Sequence, residues 1–276
     1  MAFNLEDCLQ CPDCAGRLKI GAFQVVCQGC GRTFAIEDGI YILLPRQQPP
    51  MPKFYDDPDY RLYLEKLETL HQVHYRTGSL TGRIEEDVKQ RLAELILIRR
   101  PPLVDLGCGT GYGFPYLGSE EDIIGVDNNL SLLKECRQRF PKATLLCCDL
   151  RNSPFRPGSF KTLFSVGTLE HVFYLESFVE AAENCLEPTG RFYVEVPTEG
   201  GMLWGLCRAL WTAPRNSRLL GVNYNRAIGK DHCNTVYTVH NVLEKFFEIE
   251  AMKQYPFGFG GFNVNLAMMY RLKKRP

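Results

Sequence analysis

The sequence predicts an α/β protein in which a mostly parallel sheet is covered on both faces, with a small cysteine-rich module ahead of it. Three observations lead there. After Pro101 and Pro102, short apolar runs (LVDLG, DIIGVD, ATLLCCD, FKTLFSV, GRFYVEVP) alternate with segments long enough for helices, such as SLLKECRQRF and ESFVEAAENCL. The first of these runs opens directly into a glycine-rich loop, LVDLGCGTGYG. The N-terminal residues 1–45 hold two Cys-x-x-Cys pairs.

Taken in chain order, the cysteine module comes first. Cys11 and Cys14 are separated from Cys27 and Cys30 by twelve residues that read as short alternating strands, and DGIYILLP closes the module at Pro45. Two tight turns that each present a pair of thiolates suit Zn²⁺, which takes four soft ligands at tetrahedral corners. Gly16 and Gly29 or Gly31 stand where such turns need backbone freedom. Iron fits the same four-sulfur cage, and four core cysteines or a redox pair are the other readings. Four cysteine ligands leave no open coordination position, so the metal is expected to be structural. The other eight cysteines lack this pairing and read as small buried hydrophobes.

Residues 46–60 carry four prolines and little periodicity, as a linker does. Two helical patterns follow. YRLYLEKLETLHQVHY places Leu62, Leu67 and Leu70 on one side, and RIEEDVKQRLAELILI spaces Ile84, Val88, Leu92 and Leu95 three or four apart. The tail reads as a helix (VHNVLEKFF), a strand (FEIEAMKQY), the turn FGFGG and a last strand (NVNLAMMYRL).

The glycine loop places Asp105, Gly107, Gly109 and Gly111 at a strand-to-helix junction, where parallel sheets bind ligands. A dinucleotide fingerprint needs a third glycine at the position of Tyr112, and Asp105 is a poor neighbour for pyrophosphate. A Gly-Lys-Ser/Thr phosphate loop is absent too. A carboxylate here suits a cofactor with positive charge and no phosphate, and S-adenosylmethionine carries a sulfonium and an ammonium. Asp127, ending the second run, can accept both ribose hydroxyls. Asp149, ending the third, can accept the adenine amino group.

From about residue 84 to 271 the sequence resembles the class I S-adenosylmethionine-dependent methyltransferases. VDLGCGTG resembles their cofactor loop, GVDNN the ribose acid, CCDL the adenine acid, SVGTLEHV the fourth strand and LEPTGRFYVEVP the fifth. Thr189-Gly190 stands where the family usually has two glycines. The resemblance implies a Rossmann-like seven-stranded sheet with an antiparallel last strand over 61–276. It also implies cofactor contacts from Asp105, Gly107, Cys108, Gly109, Gly111, Asp127, Asn128, Asp149 and Leu150. The N-terminal module resembles the zinc ribbons joined to some methyltransferases, including rRNA enzymes.

Methyl transfer needs a nucleophile aligned behind the methyl group, and a base only where the acceptor is protonated. Glu170, His171, His232 and His240 are the candidate bases, and His171 is the first choice because it resembles a position that often faces the acceptor pocket in the family. The Asn/Asp-Pro-Pro-aromatic signature of amide methylation is absent after the fourth strand, where the chain reads SVGTLEHV.

Lys plus Arg and Asp plus Glu each total 32, which disfavours an obligate nucleic-acid binder. Within 201–230, Arg208, Arg215, Arg218, Arg226 and Lys230 stand without any acidic residue, so an anionic partner should meet the protein there. The roughly forty residues at 198–237 exceed an ordinary connection and should form a lid containing Trp204 and Trp211. The expected acceptor is a small molecule or a lipid- or glycan-linked group, anionic or amphipathic, with peripheral membrane contact. RNA presented by the ribbon is the second reading, against which the module's 3 basic and 5 acidic residues count. A noncatalytic cofactor-binding scaffold with the ribbon docking a protein is the third. The N-terminus has no basic and apolar leader, so the protein is expected to be cytoplasmic with reduced or metal-bound thiols.

Overall fold

Strand β5 (Leu103–Leu106) divides its side chains between two cores, as a strand buried on both faces must. Leu103 joins the apolar cluster on one face, while Val104 and Leu106 join the cluster on the other. This computed structural model describes residues 4–47, 57–66 and 79–275. Leu67 and Leu70, expected on the first helical stripe, lie outside the described residues, as do 48–56 of the linker.

The five apolar runs after Pro102 all form strands. They are β5, β6 (Ile123–Asp127), β7 (Thr144–Cys147), β8 (Phe160–Val166) and β9 (Leu186–Pro197), and their neighbouring pairs are parallel. The tail supplies β10 (Phe247–Tyr255) and β11 (Ala267–Lys274), with β11 inserted antiparallel between β9 and β10.

Strands β5 to β11 make seven within 61–276, and the cysteine module adds four more to the same sheet. The sheet has eleven strands, in the order β1-β2-β3-β4-β7-β6-β5-β8-β9-β11-β10. Strands β1 (Leu18–Ile20), β2 (Gln24–Cys27), β3 (Thr33–Glu37) and β4 (Ile40–Ile42) belong to the cysteine module, and β4 lies parallel to β7 with Ile40 opposite Leu145 and Ile42 opposite Cys147. The edge of β7 would otherwise expose unpaired backbone groups, and the module covers it. Cys8, Leu9, Leu18, Val25, Phe34 and Leu43 are continuous with the same buried cluster as Val104 and Val126. The Gln10 amide donates to the Pro154 carbonyl at 2.8 Å, and Arg156 Nε donates to the Leu9 carbonyl at 2.9 Å.

Helices α1 (Leu5–Cys8), α2 (Pro58–Glu65), α3 (Leu80–Ala93), α4 (Phe114–Leu117), α5 (Leu130–Arg139) and α6 (Leu175–Cys185) are followed by α7 (Met202–Cys207) and α8 (Ala213–Leu220), which a π-helical segment, Arg208–Thr212, joins into one run. Then come α9 (Tyr224–Asp231) and α10 (Val236–Phe246). Pro58, grouped with the linker by composition, is the first residue of α2, where a missing N–H costs nothing. Asp57 caps that helix by accepting the Tyr60 amide at 3.1 Å. Tyr60 and Tyr63 are buried with Leu220, Val222, Ala227 and Ile228, so α2 packs on the α8–α9 segment. The segment expected to suit an amphipathic helix is helical over most of Met202–Asp231. Among the described residues, no helix is long and apolar enough to cross a membrane.

Candidate active site and four-cysteine cluster

The glycine loop leaves β5 at Gly107 and is held by the neighbouring strand. The amides of Gly107 and Cys108 both donate to the Val126 carbonyl, at 2.7 and 2.9 Å, and the Gly109 amide donates to Asp127 Oδ2 at 2.9 Å. Asp127 Oδ1 accepts the Asn129 amide at 2.8 Å. Gly107 is required twice over. Its φ is +81°, and a Cβ there would fall 2.1 Å from Thr168 Cγ2. Gly109, at φ +51°, would meet nothing within 4 Å and leaves the loop's backbone open to a ligand.

Asp105 is buried, and its Oδ1 has no hydrogen-bond partner among the described residues. Burial first, and the Asp127 charge second, lift its carboxyl to about 7. A buried acid without a partner at a glycine loop is costly, and a cationic group such as the ammonium of S-adenosylmethionine would fit beside it. Cys108 is buried beneath the loop, and Asn128 is exposed beside it. Asp149 and Leu150 are buried at the end of β7. Asp149 is already engaged: its two oxygens accept Arg151 Nε at 2.9 and 3.0 Å. An adenine amino group would share that carboxylate with a guanidinium the sequence reading did not foresee.

Beyond β8 the chain gathers a second group of polar side chains. His171 Nδ1 lies 3.3 Å from Asp231 Oδ2, and its Nε2 lies 3.8 Å from Glu170 Oε1. Its ring meets that of His232 edge to face, with centroids 4.6 Å apart. His232 Nδ1 is 2.8 Å from Glu199 Oε2, and Arg208 Nη1 donates to Glu199 Oε1 at 2.7 Å. Asp231 also accepts the hydroxyls of Tyr60 at 2.9 Å and Tyr63 at 3.2 Å. Burial opposes a proton on His171, but the Asp231 carboxylate outweighs it and raises the ring to about 9. The Asp231 carboxylate thus favours the protonated form of this imidazole. The same partners hold the Asp231 carboxyl well below its ordinary range, although burial alone would raise it.

Of the four candidate bases, Glu170, His171 and His232 lie together, and His240 does not join them. It packs on the rings of Phe262 and Tyr270. Asp231, Glu199, Tyr60 and Tyr63 escaped the sequence reading. The only local signal was the acid beside His232 in DHCN. In the basic run, Arg208 pairs with Glu199, and Arg226 and Lys230 both pair with Asp57, so three of the five cations have acidic partners from outside 201–230. Arg215 and Arg218 have no ion-pair partner among the described residues.

In the N-terminal module the sulfurs of Cys11, Cys14, Cys27 and Cys30 all lie within 4.8 Å of one another. Cys11 and Cys30 are 3.9 Å apart, and Cys14 and Cys27 are 3.5 Å apart. Four sulfurs at about 2.3 Å from one tetrahedral ion would stand about 3.8 Å apart, so the set fits. The amides of Gly29 and Cys30 donate to Cys27 Sγ at 3.3 and 3.4 Å, as amides around a thiolate do. Gly16 is there for closeness, since a Cβ would come within 3.0 Å of Cys27 Sγ; the left-handed positions are Ala15 and Gly31.

Residues 104–194 match the family model described as a methyltransferase domain. Those residues run from the glycine loop's strand β5 into β9, the parallel part of the sheet. Among curated proteins it is 28% identical over 116 residues to a "Probable S-adenosylmethionine-dependent methyltransferase" of Mycolicibacterium smegmatis, covering 42% of this chain and 44% of that protein. It is 26% identical over 131 residues to the 18S rRNA (guanine-N(7))-methyltransferase of Mus musculus, covering 46% of this chain and 42% of that one. The chain thus spans less than half the length of these relatives. Among solved structures, an S-adenosylmethionine-dependent methyltransferase of Thermotoga maritima superimposes with a TM-score of 0.53 at 16% identity, covering 79% of this chain and all of that one. A geranyl diphosphate C-methyltransferase of Streptomyces coelicolor does so with 0.51 at 12%, covering 74% and 81%. Both show the shared fold.

Proposed function

We propose that the protein transfers a methyl group from S-adenosylmethionine to a small-molecule or lipid-linked acceptor bound between the glycine loop and the α7–α9 helices. The observation that carries the cofactor is the unpartnered Oδ1 of buried Asp105 beside a loop whose Gly109 amide is tied to Asp127. S-adenosylmethionine, when bound, supplies a methyl group on a positively charged sulfur. Asp105 would face its positive charge, Gly109 would admit it closely, and Asp127 would accept the ribose hydroxyls on its free lone pairs. Alignment of the acceptor behind the methyl group would supply most of the acceleration.

The same cover supports the acceptor class. Met202, Leu206, Leu210 and Trp211 are 75, 55, 74 and 52% exposed along one helical run, with the free cations Arg215 and Arg218 following. An apolar stripe edged by arginines suits an amphipathic or lipid-bearing acceptor and contact with an anionic membrane surface. RNA is the second reading, favoured by the likeness to the rRNA enzyme of Mus musculus. In the N-terminal module, the four cysteines would hold one Zn²⁺ with every coordination position filled, a structural role.

Incubation with radiolabelled S-adenosylmethionine and cell extract decides the acceptor. Label that partitions into organic solvent or a small-molecule fraction supports the reading. RNase-sensitive label moves RNA to first place, and cofactor binding without any labelled product supports a scaffold.

A further inference from the structure

We propose that His171, His232 and Asp231 form a second divalent-cation site, on the acceptor side of the sheet and distinct from the four-cysteine cluster. One ring nitrogen of each histidine and one Asp231 carboxylate oxygen lie within 4.8 Å of one another. Ligands at about 2.1 Å from one ion would stand about 3.4 Å apart, so closing on it takes side-chain shifts of about an ångström. Two imidazoles and one carboxylate are the donor set of first-row divalent ions such as Zn²⁺ or Mn²⁺, and three protein ligands leave positions open for a reactant.

The surroundings are those of ligands held in place. Glu199 takes the Nδ1 side of His232 at 2.8 Å, the carboxylate-to-histidine arrangement that leaves Nε2 to face an ion, and Arg208 in turn holds Glu199. The hydroxyls of Tyr60 and Tyr63 orient Asp231 from α2. An independent observation points the same way. Glu170 is only 4% exposed, its Oε2 has no hydrogen-bond partner among the described residues, and its Oε1 lies 3.8 Å from His171 Nε2. A buried carboxyl left unsatisfied beside two histidines is compensated by a cation among them.

The site lies where the acceptor would enter, and its use there rests on the proposed methyl transfer. An acceptor hydroxyl on the open position would lose its proton to water more readily.

The test counts metal on the full chain. After chelator treatment and reloading with Zn²⁺, elemental analysis should give two equivalents per chain. His232→Ala, and separately His171→Gln, should lower this to one, and Cys11→Ala with Cys27→Ala should remove the other. Cobalt loading separates the sites without any variant, since only the thiolate site absorbs through sulfur-to-metal charge transfer. A wild-type stoichiometry of one, with all the cobalt in the thiolate site, overturns the proposal. So does a count of two that both histidine variants leave unchanged. Calorimetry of S-adenosylmethionine binding reads the methyltransferase assignment separately, so a failure of one is not mistaken for a failure of the other.

Discussion

Asp127 Oδ2 accepts the Gly109 amide at 2.9 Å, which ties the loop after the first parallel strand to the end of the second. One carboxylate therefore shapes the loop and stands ready for the ribose. Asp127→Ala removes both functions and should weaken S-adenosylmethionine binding by about 2–4 kcal/mol. Calorimetry reads this directly, and unchanged affinity would place the ribose elsewhere.

Asp105 is held protonated into the neutral range, at about 7 against an ordinary 3.8, because it is buried and Asp127 lies nearby. The sign follows from linkage. As pH rises from about 4 to 7 the unfolded chain ionises freely while the folded one does not, so this group's stabilisation is present at low pH and lost through pH 7. A shift of three units is worth at most about 4 kcal/mol. Asp105→Asn should therefore raise the melting temperature of the cofactor-free protein at pH 8, with the gain shrinking toward pH 5, while cofactor affinity falls. Glu170 and Glu195 are raised by burial as well, so the readout is the difference between wild type and variant. A variant no more stable at pH 8 than wild type contradicts the assignment.

Gly107→Ala drives a Cβ to within 2.1 Å of Thr168 Cγ2 at a φ of +81°. The left-handed backbone alone costs about 1–2 kcal/mol, and the collision adds to it. The variant should lose cofactor binding, and Thr168→Ser in the same chain should restore part of the stability by removing the methyl group. Thermal denaturation with and without cofactor checks both.

Leu210 and Trp211 are exposed, so replacing both with serine should leave stability within about 0.5 kcal/mol. Sedimentation with phosphatidylglycerol vesicles should nevertheless fall, and methylation of a lipid-linked acceptor with it, at unchanged cofactor affinity. Equal sedimentation of variant and wild type would remove the membrane argument.

Cys11→Ala with Cys27→Ala should abolish metal binding in the N-terminal module and lower the melting temperature of the whole chain. The reason is that Leu9, Val25 and Phe34 share the sheet's own core. A melting temperature equal to wild type would mean that the module folds without metal.

The parts of this protein legible in its sequence are those written by short-range rules. The short continuous apolar runs from Leu103 to Pro197 became the parallel strands they predicted, because strands buried on both faces are apolar throughout. The cysteine pairs were legible because each Cys-x-x-Cys turn presents its sulfurs together, and Asp127 and Asp149 because each closes an apolar run, at the end of β6 and just past β7. Chain-distant pairing was not legible. No pattern within Ile40–Ile42 names Leu145–Cys147 as its partner, so the extension of the sheet to eleven strands was decided by an open edge and a shared core. Likewise, composition counted five free cations in 201–230, and only folding brought Asp57 and Glu199 onto three of them. The meeting of Tyr60, His171 and Asp231 joins residues up to 171 positions apart. Such contacts depend on how helices seat on the finished sheet, a tertiary matter for which local sequence carries no code.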